Sequence, residues 1–239
     1  MSPLRKTALA AGVLYLLTFA SIPILGLYAT MLDPESTVGP GSETGVAWGG
    51  VLEMVVALAC IGTAVVLYPV VKRQNEALAL GFVGVRVLEA ATIIAGIVVM
   101  MSLVTVRQAG PDPEVLVTGE ALIALHDWTF LTGQGLLPAV NALLLGPLLY
   151  QSRLVPRVLP VLGFIGAPLL AITFVATMFG FWTQVSLVSA LLTMPIALWE
   201  LSLGVWLIAK GFQPSPIADE LAANPSPGSG VPLHSGQSG

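Results

Sequence analysis

The stretch LALGFVGVRVLEAATIIAGIVVMMSLV, from Leu78 to Val104, decides the fold class of this chain. It is apolar for longer than the roughly 20 residues a helix needs to cross the hydrocarbon core of a bilayer, yet it contains Arg86 and Glu89. Residues three apart lie on one face of a helix, so the two charges can neutralise each other within a single span. An unpaired charge at the centre of a lipid-exposed helix costs roughly 2.5–3.5 kcal/mol on insertion scales. The pair therefore belongs on the protein-facing side of a bundle, and the rest of the chain must supply the other helices.

Five further apolar runs do so: Thr7 to Tyr28, Ala47 to Val71, Ala121 to Tyr150, Val158 to Phe179 and Val185 to Ile208. The expected fold is all-α, a polytopic bundle of six transmembrane helices over residues 1–212. Continuous apolar length argues against a barrel, whose strands would alternate over about 10 residues. The first run follows Arg5 and Lys6 like a secretory signal, but it outlasts the core of about 7–15 residues and lacks a clean small-x-small cleavage site. It is expected to be retained as a span.

Composition points the same way. Of 239 residues, 56% are hydrophobic and 9% charged, with mean hydropathy +0.91, against about 25% charged in an ordinary soluble domain. Nine Lys plus Arg face 13 Asp plus Glu, with a pI near 5.0, which leaves no basic surface for a nucleic-acid backbone and excludes nucleic acid as a partner. The lone cysteine, Cys60, lies in an apolar run and is read as a small buried hydrophobe. Only His126 falls within a span, since His234 is in the tail, so neither haem nor a His-rich metal site is expected and no cofactor is predicted. No Walker-type glycine loop is present, so an ATP-driven motor on this chain is not expected.

Orientation follows from Lys and Arg in the short loops. Arg5, Lys6, Lys72, Arg73, Arg153, Arg157 and Lys210 fall on one side, while Arg107 stands on the other among Asp33, Glu35, Glu43, Asp112, Glu114 and Glu120. Both termini are expected to be cytoplasmic, with acidic outer loops at 29–46 and 105–120. Residues 213–239 hold Pro214, Pro216, Pro225, Pro227 and Pro232 among Gly and Ser, and they read as a disordered cytoplasmic tail. The triplet Val-Leu-Glu recurs at 51–53 and 87–89, with Leu-Trp-Glu at 198–200. The first two lie on antiparallel spans, and coincidence in Leu- and Val-rich helices accounts for them.

Helical spacing sorts the remaining polar residues. Ser186, Ser189, Thr193 and Glu200 share one face of the last span, in which Pro195 frees the Leu191 carbonyl and is expected to kink the helix. Asp127, Gln134 and Asn141 recur at heptad spacing in span four, where Gly133, Gly135 and Pro138 are expected to interrupt the helix. At about 1.5 Å rise per residue, Arg86, Glu89, Asn141 and Glu200 form an inner polar layer, and Glu53, His126 and Asp127 an outer one. His126-Asp127-Trp128 also reads as an interfacial marker. Adjacent helical residues point about 100° apart, so His126 and Asp127 are poorly placed to ligate one metal.

The segments Ala79 to Ala90 (ALGFVGVRVLEA), His126 to Phe130 (HDWTF), Tyr150 to Arg157 (YQSRLVPR) and Leu198 to Gly204 (LWELSLG), followed by Lys210-Gly-Phe, resemble a family of bacterial six-span proteins catalogued as domain of unknown function 4386. The similarity runs over about residues 5–212. It implies a multi-pass protein of the bacterial plasma membrane, and it implies no established activity and no assigned functional residues.

Three functions fit these residues. The first is binding or transport of an ion, proton or small polar ligand, with Glu89 and Glu200 as proton-sensitive acids and Arg86 as anchor. It requires a cavity joining Glu89, Asn141 and Glu200 to one membrane surface. The second is a lipid-modifying enzyme using His126 and Asp127 as acid and base; no nucleophile motif or metal set accompanies them, so enzymatic activity is not predicted. The third is a structural or regulatory partner, whose interior would be closed, with Arg86 satisfied by Glu89 or Glu200. The expected partners are the bilayer and a small polar ligand or proton, and no motif sets the oligomeric state.

Overall fold

The computed structural model describes residues 1–32, 42–110 and 112–223, and helix is the only regular structure among them. In chain order the helices are α1 (Pro3–Leu17), α2 (Ser21–Leu32), α3 (Ser42–Val71), α4 (Glu76–Arg107), α5 (Pro113–Ser152), α6 (Val158–Met178), α7 (Leu187–Ala209) and α8 (Pro216–Ala223). Six segments are long and apolar enough to cross a membrane: Pro3–Ala29, Glu43–Val71, Glu76–Arg107, Pro113–Ser152, Val158–Met178 and Leu187–Ala209. They agree with the six expected spans. Leu58, Val65 and Val98 are among many large apolar side chains left on the outside, which is the pattern of a bundle solvated by lipid.

The first and fourth spans depart from expectation, each for a local reason. The first span is two helices joined by a single 3-10 turn at Thr18–Ala20. Pro23 lacks an N–H for the Phe19 carbonyl and its ring crowds that carbonyl, which is why the α-helical ladder lapses there. Helix α5 starts well before Ala121, because Asp112 offers an extended N-cap and Pro113 a preset first turn, with Glu114 against the helix dipole. At about 1.5 Å per residue its 40 residues span about 60 Å, so its N-terminal part overhangs a hydrocarbon core of about 30 Å.

The expected interruption of span four does not occur. Helix α5 runs through Gly133, Gly135 and Pro138, and a Cβ on Gly133 would lie 2.3 Å from Thr92 Oγ1. That glycine serves the close approach of α4 and α5, not a break. The expected disordered tail gives way over its first residues: Gln213 N–H donates to the Leu154 carbonyl (2.8 Å), and Ser215 caps α8 by accepting from Ala218 N–H (3.2 Å). The acidic Asp33 and Glu35 and the tail from 224 onward lie outside the described residues.

Charges in the connections define two ends of the bundle. At the basic end lie Arg5, Lys72, Arg153 and Lys210, and at the acidic end Glu43, Asp112 and Glu120. The largest core cluster occupies the basic half and draws on every span, with Tyr15, Leu67, Phe82, Leu149, Leu170 and Leu203 buried together. Here α1 packs on α7: a Cβ on Gly12 would sit 2.7 Å from the Gly204 carbonyl oxygen, and Arg5 donates to the carbonyls of Leu207 (2.8 Å) and Ile208 at the end of α7. The acidic-end cluster, including Ile24, Tyr28, Met31, Val46, Met100 and Leu103, draws on α2, α3 and α4, with Leu122 and Ile123 of α5 packed against it and, among the described residues, none from α6 or α7. The bundle is thus knitted at one end and parted along α6 and α7 at the other.

Candidate functional site

Arg86 is the centre of the inner layer. It is 1% exposed, and its guanidinium donates from Nη1 to Glu89 Oε2 (3.0 Å) and from Nη2 to Glu200 Oε1 (3.1 Å). Asn141 Nδ2 donates to the same Glu89 oxygen at 2.6 Å. Helices α4, α5 and α7 therefore bring Arg86, Glu89, Asn141 and Glu200 into one hydrogen-bonded group. Three further side chains surround it, of which Phe82 follows from i, i+4 spacing on α4 while Tyr15 and Cys60 come from other helices. The Tyr15 ring of α1 lies 5.1 Å and the Phe82 ring 5.9 Å from Arg86 Cζ, and Nη1 reaches Cys60 Sγ at 3.5 Å. Cys60 is buried as expected but touches charge; its position seven residues after Glu53, on the same face of α3, is the available signal.

The outer layer is smaller than its sequence suggests. Tyr28 O–H donates to Glu53 Oε2 at 2.8 Å, and the buried His126 ring meets Tyr28 edge-on (5.8 Å) and stacks over Phe130 (6.3 Å). Asp127 does not join them. Its side chain is 63% exposed, with Oδ1 3.7 Å from His126 Nδ1, as the turn between successive helical residues requires. A void of about 10 Å³, room for about one water, is lined by Glu53, Thr92, His126, Thr129 and Gln134. Among the described residues no three His, Cys, Asp or Glu side chains converge as a metal set.

Tyr28→Phe measures what holds this layer. Removing the hydroxyl leaves a buried carboxylate short of one donor, a loss of about 1–3 kcal/mol. Tyr68→Phe, which deletes a surface contact to Glu76 Oε1 at 3.4 Å, is the control and is expected to change little. Unfolding midpoints in detergent compare the two; equal shifts would mean that the Tyr28–Glu53 bond carries no weight.

Gln134 faces both layers. It lines the void beside His126 and also a cavity of about 230 Å³ whose wall includes Cys60, Glu89, Thr193 and Glu200. That cavity shares Gln134 and Thr193 with a second of about 220 Å³, which shares Leu25, Phe130, Leu131, Gln184 and Val185 with a third of about 580 Å³. The third is bounded by Asp127, Trp128 and Trp182 near the acidic end. The three adjoin through these shared residues as a groove along α2, α5 and α7, beside an acidic-end core that holds no described residue of α6 or α7.

Six apolar spans around a buried ion-pair network define a polytopic α-helical membrane protein. The chain matches the family described as Domain of unknown function (DUF4386) over residues 10–211, and it belongs to that family. Neither a curated protein nor a solved structure matches it.

Proposed function

We propose that this protein binds a small ligand inside the membrane at the Arg86–Glu89–Glu200 group and moves it across, with the binding site open to the outer side in the state described here. The observation that carries this reading is the groove: a packing-only ion pair needs no cavity against its carboxylates, and here both Glu89 and Glu200 line one. The excess of Lys and Arg at the basic end supports a cytoplasmic location for that end and for both termini, so the groove's mouth near Trp128 and Trp182 would face outward. The family resemblance supports a bacterial plasma membrane. Glu89 and Glu200 are the acids through which a proton or ligand charge would be exchanged, Arg86 is their fixed counter-ion, and the role assigned is not enzymatic.

Accessibility is the test. Thr193→Cys in a Cys60→Ser background, in intact cells, is expected to react with a membrane-impermeant thiol reagent added outside. Ala142→Cys, at a position 1% exposed, is expected to stay unreactive. If the cysteine at 193 reacts no faster than that at 142, the groove is closed in the membrane. The ion pairs then act only as packing specificity, which is the structural reading.

A further inference from the structure

The geometry points to an organic cation with an apolar body as the ligand of this groove: an amine or quaternary ammonium amphiphile whose positive group lies against Glu200. The inference rests on the binding reading above and adds its chemistry. Among the described residues three charged side chains line the three cavities, Asp127, Glu89 and Glu200, and all are acidic. No Lys or Arg is among the described lining residues; Arg86 lies behind the carboxylates with its guanidinium in contact with both. One guanidinium facing two carboxylates leaves the closed end one positive charge short when both are ionised. A ligand cation would complete the balance, whereas a ligand anion would meet a carboxylate before it met Arg86.

The remaining walls suit the rest of such a molecule. Trp128, Trp182 and Phe130 border the mouth, and aromatic faces attract ammonium groups. Below them Leu25, Leu131, Leu170 and Ile196 supply apolar surface. Glu200 is the carboxylate placed for exchange. Its side chain is 15% exposed against 6% for Glu89, and it holds Arg86 through one bond, while Glu89 is held by both Arg86 and Asn141. An ammonium can take over Glu200 and leave the Arg86–Glu89–Asn141 group intact.

The test uses three probes of similar shape on the full chain in nanodiscs: benzyltrimethylammonium, its neutral isostere neopentylbenzene, and the anion phenylacetate. Binding is read from tryptophan fluorescence and from the unfolding midpoint. Benzyltrimethylammonium is expected to bind about tenfold more tightly than neopentylbenzene, and Glu200→Gln is expected to remove that advantage while leaving the neutral probe's affinity unchanged. Thr193→Phe narrows the groove without touching the ion pairs and is expected to weaken both, which keeps the test valid if the Glu200 variant fails to fold. Equal binding of the ammonium and neutral probes, preference for phenylacetate, or absence of binding by all three overturns the cation assignment. The thiol labelling at 193 decides separately whether the groove is a site at all.

Discussion

Arg86→Met is expected to lower the stability of the folded protein by about 3–5 kcal/mol, the range for breaking a buried ion pair by removing one partner. The reason is what remains. Methionine fills the volume, but Glu89 and Glu200 lose the cation 3.0 and 3.1 Å away and are left as like charges in a site Arg86 held at 1% exposure. The neutral combination Arg86→Met with Glu89→Gln and Glu200→Gln is expected to recover most of the loss, because replacing a whole buried charge group by neutral side chains is often close to neutral. Unfolding midpoints of the native protein, Arg86→Met and the triple variant decide it. A triple variant no better than Arg86→Met would mean that Arg86 acts through its packing on Tyr15 and Phe82 and not through charge.

Gly166→Ala is expected to cost about 1–3 kcal/mol, and Gly84→Ala to add about 0.5–1 kcal/mol, although both place the same methyl group in the middle of a helix. At Gly166 the new Cβ would lie 2.6 Å from Ile196 N and 2.9 Å from Ile196 Cα, so α6 must move away from the backbone of α7. Pro195, beside this contact, lacks an N–H and leaves the α7 ladder locally open where Gly166 allows α6 to approach. At Gly84 nothing lies within 4 Å, and only the backbone entropy of glycine is at stake. Opposite signs in thermal unfolding support the contact; two equal losses would mean that α6 and α7 are less closely packed than described.

These sites were legible in the sequence to different degrees, and the differences have physical causes. Apolar length alone decides a span, so six helices could be read without knowing their neighbours. The Arg86–Glu89 pair is local, set by spacing on one helix, and rise per residue places Asn141 and Glu200 at its depth. Tyr15, Tyr28 and Cys60 are different. Their importance depends on which helices pack side by side and how each is rotated, and periodicity in uniformly apolar spans carries little of that. Depth alone groups Asp127 with His126, but a turn of about 100° sends one side chain out and the other in. Pro23 and the pair Asp112-Pro113 do mark the 3-10 turn and the early start of α5, yet hydropathy outweighs them in a span reading. The groove has no sequence signature, because it follows from the absence of α6 and α7 from the acidic-end core among the described residues.

The seam between the first and last spans has a consequence for biosynthesis. Arg5 binds the carbonyls at the end of α7, Gly12 lies against Gly204, and Glu200 supplies the second carboxylate to Arg86. The ribosome makes α1 first and α7 last of the spans, so a nascent chain carries Arg86 with only one acidic partner until almost the whole protein has emerged. Span α4 can be inserted early because Glu89 travels with it as its own counter-charge. Closure of the ring waits for α7, and truncation before Glu200 would leave every other span in place around an unfinished centre.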